Sequence, residues 1–211
     1  MRFFGSKEAT GARRGEPARL HRSSSGWTQL QKTLRAGEGL RVLDIGPTSA
    51  GNINYITGLG HSIYMANLVE EAARPEWTIA ATSTDPARFD VERFIASNLN
   101  FSGRIFDIVL FWDTADYLPE PLLRPILHRL EEVIAPQGQI LAFFHTKKEN
   151  VDPGFFRYHL TDDVTVDMQR VGEYPIENVY NNRQIENLLS GFSSYRFFLA
   201  KDNLREVIAT R

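Results

Sequence analysis

Apolar positions along this chain follow two rhythms, short continuous runs and stretches at helical spacing, and the two alternate. Trp27, Leu30 and Leu34 predict a short amphipathic helix that Gly37 and Gly39 end. Arg41-Val42-Leu43-Asp44-Ile45-Gly46 is an apolar run closed by glycine, as expected of a buried parallel strand. A helix is predicted around Asn52–Ile56, capped by Ser49 or Asn52 and stopped by Gly58-Leu59-Gly60, and His61–Ala66 then reads as a second strand. Residues 67–88 carry no clean period, whereas Val91, Phe94, Ile95 and Leu99 fit one helical face. Phe106–Asp113 is a strand and Pro121–Ala135 a helix with a broad apolar stripe; Pro136-Gln137-Gly138 is a turn before a further strand, Ile140–His145. In the C-terminal third, Val164–Val171 is strand-like and Asn182–Leu189 helical. Tyr195–Leu199 and Arg205–Ala209 form a hairpin split at Lys201-Asp202-Asn203.

This alternation of strand and helix predicts an α/β fold, a doubly wound and mostly parallel sheet that ends in an antiparallel hairpin. At 211 residues, 42% hydrophobic and 24% charged, the chain suits one globular domain. It has no cysteine, which excludes disulfides, thiolate nucleophiles and cysteine-based zinc sites. The five histidines show no ligand-like spacing, so no metal is expected. No apolar run approaches the roughly 20 residues that span a bilayer, and the N-terminus lacks a secretory apolar core. A cytoplasmic protein without a membrane segment is the expectation.

Charge is unevenly placed. Residues 1–41 hold nine Lys/Arg against three Asp/Glu. Residues 1–25, with Gly5, Gly11, Gly15, Pro17 and Ser23–Ser25, read as a flexible basic arm ahead of a domain over 26–211. Arg13, Arg14, Arg19 and Arg22 would meet nucleic acid or an acidic surface, or simply be solvated. No aromatic is interleaved with them, which weakens base stacking as a mode of binding.

In open α/β sheets ligands bind beyond the carboxyl ends of the strands, where the strand order reverses. That directs attention to Asp44–Asn52, Ala66–Glu70 and Trp112–Tyr117. Gly46 and Gly51 permit close backbone approach, Thr48, Ser49 and Ala50 are small, and Asp44 is suited to an ammonium group. No Lys-Ser/Thr follows, so the loop is not a phosphate-binding P-loop, nor is it G-x-G-x-x-G. A purely structural turn accounts for the same residues.

Val42-Leu43-Asp44-Ile45-Gly46, Phe106-Asp107-Ile108-Val109-Leu110, Leu118-Pro119 and Pro136-Gln137-Gly138-Gln139-Ile140-Leu141 resemble successive motifs of class I S-adenosylmethionine-dependent methyltransferases, in the family's order over about residues 40–211. The resemblance implies a Rossmann-like sheet with helices on both faces, S-adenosylmethionine as cofactor, and methyl transfer to an unidentified acceptor. It implies Asp44, Gly46, Pro47, Thr48 and Gly51 around the methionine part and Asn67 at the ribose. Ser97 or Asn98 would lie near the adenine, and Trp112 and Asp113 beside the transferred methyl. This chain departs from the family at Thr48 and Ala50, where glycine is usual, and at Asn67, where an acid is usual; Glu70 or Glu71 would stand in for that acid. These departures keep a catalytically inactive, methyltransferase-like binding or scaffold protein as the alternative.

Methyl transfer mainly needs alignment in a site that excludes water, so no triad is required. Asp113, Asp116, Tyr117 and His145 fall near strand ends, where they would orient a substrate or accept a proton; loop polarity or helix capping explains them as well. Asp113-Thr114-Ala115-Asp116 is not the Asn/Asp-Pro-Pro-Tyr motif of amino-directed enzymes. Phe155, Phe156, Tyr158 and His159, with Tyr174, Tyr180 and Asn181-Asn182, either cover a pocket or are core or edge-strand packing.

Overall fold

Val42 and Leu43 are adjacent in sequence and enter different cores, because successive side chains of a strand point to opposite faces. The computed structural model that shows this describes residues 18–148, 154–198 and 202–211. Its main sheet contains β2 (Arg41–Ile45), β3 (Ser62–Ala66), β6 (Phe106–Trp112), β7 (Ile134–His145), β10 (Ser194–Phe198) and β11 (Leu204–Thr210). A smaller sheet joins β1 (Arg19–Ser23), β8 (Gly154–Leu160) and β9 (Thr165–Glu173), and β4 (Thr78–Ile79) pairs with β5 (Arg88–Phe89). The helices are α1 (Ser25–Ala36), α2 (Ala50–Gly58), α3 (Leu68–Ala72), α4 (Val91–Asn98), α5 (Thr114–Tyr117), α6 (Glu120–Val133) and α7 (Asn182–Leu188).

The main sheet has the order β10-β11-β7-β6-β2-β3. Strands β3, β2, β6 and β7 run parallel, β11 pairs antiparallel with β7, and β10 pairs antiparallel with β11. This is the expected doubly wound sheet closed by an antiparallel hairpin. On one face Val42, Ile108, Leu110, Leu141 and Phe143 pack with Trp27, Leu30 and Leu34 of α1 and Ile56 of α2. On the other, Leu43, Ile45, Val109, Phe111 and Phe144 pack with Phe94 of α4, the stripe of α6 and Ile185 of α7. Ser24 and Ser49 cap α1 and α2, each side chain accepting a backbone N–H three residues on.

Two expectations change and one open stretch is filled. Residues 1–17 of the proposed arm lie outside the described residues, but residues 19–23 form β1, which pairs antiparallel with β9. Arg22 is buried and ion-paired to Glu206 and Asp202, with its guanidinium 4.8 Å from the Phe143 ring centre, so it anchors the fold instead of facing a partner. Serines and an arginine look like a tail in composition alone; a buried carboxylate far along the chain supplies what a tail lacks. Next, the expected turn Pro136-Gln137-Gly138 is a wide irregularity inside β7. Phe106 pairs with Ile134 and Ile108 with Gln139, with Gln137 at φ +66°. A Cβ on Gly138 would lie 2.6 Å from the Ile134 side chain and 2.9 Å from the Ala135 carbonyl oxygen, so only glycine lets the strand resume there. Finally, Phe155–His159 is a strand, β8, and residues 67–88 hold α3, a 3-10 turn at Pro75–Trp77 and the β4–β5 pair. Of the predicted C-terminal hairpin, Leu199 and Lys201 lie outside the described residues.

Candidate functional site

The strand order reverses between β2 and β6: the chain leaves β2 for β3 on one side and later returns to β6 on the other. The carboxyl ends of these strands therefore border the crevice where such sheets bind ligands.

Asp44 ends the inward register of β2 and is 2% exposed. Its Oδ2 accepts from Asn52 Nδ2 at 2.8 Å and its Oδ1 from Trp112 Nε1 at 2.7 Å. Burial pushes its carboxyl up to about 6 despite those two bonds. Two further acceptor positions remain on the carboxylate, which offers about four. After it, Gly46 is buried; a Cβ there would stand 3.2 Å from Trp112 Cδ1. Pro47 is half-buried, whereas Thr48, Ala50 and Gly51 are exposed.

Ile45 and Ala66 are paired in register, so Asn67 follows β3 beside the loop. Asn67 caps α3 and donates from Nδ2 to Glu70 Oε2 at 2.7 Å. Glu70, three residues on, thus brings a carboxylate to the end of β3. Asn67 and Glu70 together present the acceptors that vicinal hydroxyls require, and the small-residue loop lies beside them. These groups could hold a nucleoside with a charged amino-acid arm.

Other sequence-proposed positions fall elsewhere. Asn98 ends α4, where its amide donates to the Phe94 carbonyl at 3.0 Å, and the chain from there leads to the start of β6. Asn98 and the exposed Ser97 therefore lie toward the edge opposite the crevice. Trp112 and Asp113 are at the crevice end of β6 but face inward, each 2% exposed. Trp112 has φ +48°, a left-handed conformation beside a register shift in β6–β7, and its ring stacks on Tyr158 at 4.7 Å and 7°. Holding a tryptophan there costs about 1–3 kcal/mol, and it aims the indole N–H at Asp44. Asp113 accepts from the Tyr158 hydroxyl at 2.9 Å, and burial raises its pKa. Glu71 pairs with Arg74 at 2.9 Å.

Several neighbours of the loop that the sequence offered only as caps, small residues or aromatics form a buried polar network. Asn52 is fully buried; beyond Asp44 it donates to the Tyr158 carbonyl at 3.0 Å and accepts from Leu160 N at 2.7 Å. Its amide thus acts as a strand partner for β8 and ties the smaller sheet to the start of α2. Ser49 Oγ meets His159 Nδ1 at 2.8 Å, and His159 Nε2 meets Gln169 Oε1 at 3.1 Å. Burial holds His159 below the usual imidazole range. A buried asparagine in a first helical turn was the one local signal, and it read as a cap.

One strand over, Asp116 on α5 is fully buried, and its Oδ2 accepts from His145 N at 2.6 Å and from His145 Nδ1 at 2.8 Å. Burial raises Asp116 to about 6. Burial lowers His145, but the Asp116 and Asp113 carboxylates outweigh it and hold the imidazole above its ordinary value. Among the described residues no cluster of three or more metal-ligating side chains occurs, and no helix is long and apolar enough to cross a membrane.

No family model matches this chain, and comparison with curated proteins finds no match. Among solved structures, an S-adenosylmethionine-dependent methyltransferase from Clostridium acetobutylicum shares 14% identity at a TM-score of 0.48, over 89% of this chain and 90% of that one. A second, from Methanosarcina mazei, shares 16% at 0.49, over 83% and 93%. Magnesium protoporphyrin IX methyltransferase from Synechocystis, with bound S-adenosylhomocysteine, shares 15% at 0.47, over 88% and 78%.

Proposed function

We propose that this protein transfers a methyl group from S-adenosylmethionine to an acceptor bound beside the carboxyl ends of β2, β6 and β7. The observation that carries this reading is the reversal of strand order between β2 and β6. An order reversal, a buried carboxylate, a small-residue loop and a hydroxyl-accepting Asn67–Glu70 pair meet at neighbouring strand ends. Asp44 would hold the ammonium of the methionine arm through its remaining acceptor positions. Gly46, Pro47, Thr48 and Gly51 would line the arm, and Asn67 with Glu70 would take the ribose hydroxyls. Bound there, the cofactor supplies an electrophilic methyl on a sulfonium.

The chain's part is orientation and exclusion of water. The backbone of the loop is fixed at one end by Asp44 and at the other by Ser49, whose hydroxyl caps α2 and meets His159 of β8. Trp112 and Tyr158 form a dry wall on the β6 side. Such a preorganised, water-poor setting would favour displacement at the methyl carbon, which requires alignment above all.

Calorimetry and thermal shift with S-adenosylmethionine and S-adenosylhomocysteine test this. At about 100 times its dissociation constant a ligand adds about 2.7 kcal/mol of stability. No shift at millimolar ligand would remove methyl transfer and leave the scaffold alternative.

A further inference from the structure

Resting on the reading above, we propose that His145 is the base that takes the proton from a hydroxyl-bearing methyl acceptor, and that Asp116 is the residue that positions it. His145 closes β7, the strand next to β6, so it stands one strand beyond the crevice that would hold the methyl donor. Both donors it presents to α5, its backbone N–H and its Nδ1, go to one oxygen of Asp116. With Nδ1 carrying the proton, Nε2 bears the free lone pair. Among the described residues no hydrogen bond reaches Nε2. The Tyr117 ring meets the imidazole in a T-shaped contact, with centres 5.9 Å apart and planes at 89°.

A second observation points to a ligand. Asp116 Oδ1 is buried and has no partner among the described residues, whereas buried polar atoms in folded proteins are nearly always paired. An incoming hydroxyl or N–H group would supply that partner. The neighbouring acid does not compete for it, because Asp113 is engaged by the Tyr158 hydroxyl. The charged groups facing His145 are Asp113 and Asp116 from the β6 side and Asp202 from the approach to β11, the last paired with Arg22. This anionic surround stabilises an imidazolium once it forms.

The arrangement selects the acceptor class. A neutral amine attacks a methyl with its own lone pair, but a hydroxyl is a poor nucleophile until its proton is drawn off, and imidazole is the side chain matched to that task near neutral pH. In the step, the acceptor O–H bond breaks and its proton goes to Nε2. The oxygen pair forms the new O–C bond, the former S–C pair stays on sulfur, and the imidazolium returns its proton to water.

The test uses the full chain with diethyl pyrocarbonate, which modifies free imidazole nitrogens, read by mass spectrometry at each histidine. His61 is the internal control, since Leu40 N and the Leu34 carbonyl occupy both of its ring nitrogens. His145 should react about tenfold faster than His61 and be protected by phenol in the presence of saturating S-adenosylhomocysteine. His145→Asn keeps a donor toward Asp116 and should leave calorimetric affinity for S-adenosylhomocysteine within about twofold. Asp116→Asn should lower the pH of half-maximal modification by about one unit, since an opposite charge is lost. If S-adenosylhomocysteine binds but His145 is as inert as His61, or phenol gives no protection, or Asp116→Asn leaves the pH unmoved, the base assignment fails and the methyltransferase reading stands. If S-adenosylhomocysteine does not bind the wild type, both fall.

Discussion

Trp112 Nε1 donates to Asp44 Oδ1 across 2.7 Å, joining the ends of two adjacent parallel strands through a buried carboxylate. The indole therefore ties the two strand ends together and opposes the rise that burial imposes on the Asp44 carboxyl. Trp112→Phe should leave Oδ1 without a donor and lower stability by about 1–3 kcal/mol. Urea unfolding measures this, and a loss within error of zero would show the bond to be idle.

Asp44 also makes stability depend on pH. Its carboxyl is raised to about 6 in the folded chain and titrates near 3.9 when unfolded. The folded state thus binds the proton more tightly. The contribution is fully present below about pH 4 and is lost as pH rises to about 6, amounting to about 3 kcal/mol. Asp116 acts with the same sign, so the measurement is the difference between wild type and Asp44→Asn. Between pH 4 and pH 7 that difference should shift in favour of the variant; a constant offset would contradict the assignment.

Gly46→Val should abolish binding of S-adenosylhomocysteine while the protein stays folded. The first added carbon already lies 3.2 Å from Trp112, and the branched remainder displaces the indole or narrows the loop. Calorimetry together with an unchanged far-ultraviolet spectrum checks both halves of this expectation.

Glu70→Ala should weaken binding of the same ligand roughly 10- to 100-fold, the range expected for losing one charge-assisted hydrogen bond. Asn67→Ala should weaken it less, because a neutral group is removed. Equal affinities for wild type and Glu70→Ala would mean that the ribose lies elsewhere.

Arg22→Met should cost about 3–5 kcal/mol, since it strands the buried Glu206. Glu206 also accepts from Gly26 N at 2.6 Å and from Ser24 Oγ at 3.1 Å, so the loss should loosen the junction of β1 and α1. Hydrogen exchange should show earlier opening there than in β6; uniform exchange would argue against a local anchor.

Much of this architecture was legible in the sequence. Val42/Leu43 and Leu141/Phe144 announce strands with two buried faces, and the stripe Leu122–Val133 announces α6, because burial on a regular element imposes a regular period. The loop Gly46–Gly51 and its place at a strand end were legible for the same reason. Of the small sheet, β9 was legible as the strand-like run Val164–Val171, whereas β1 and the full extent of β8 were not. In β8 the residues Gly154, Phe155, Tyr158, His159 and Leu160 are buried in no strict alternation, and β1 is read as tail because four of its five residues are exposed.

By itself the sequence determined the order of strands and helices, their two apolar faces and the small-residue turn after Ile45, all of which are properties of neighbouring residues. Only the tertiary structure decided that Arg22 belongs to Glu206, Asp44 to Trp112 and Asn52, and His145 to Asp116. Those pairs are separated by 184, 68, 8 and 29 positions. A local period records which side of an element is buried, whereas the partner of a buried polar group is fixed by which elements the sheet places side by side.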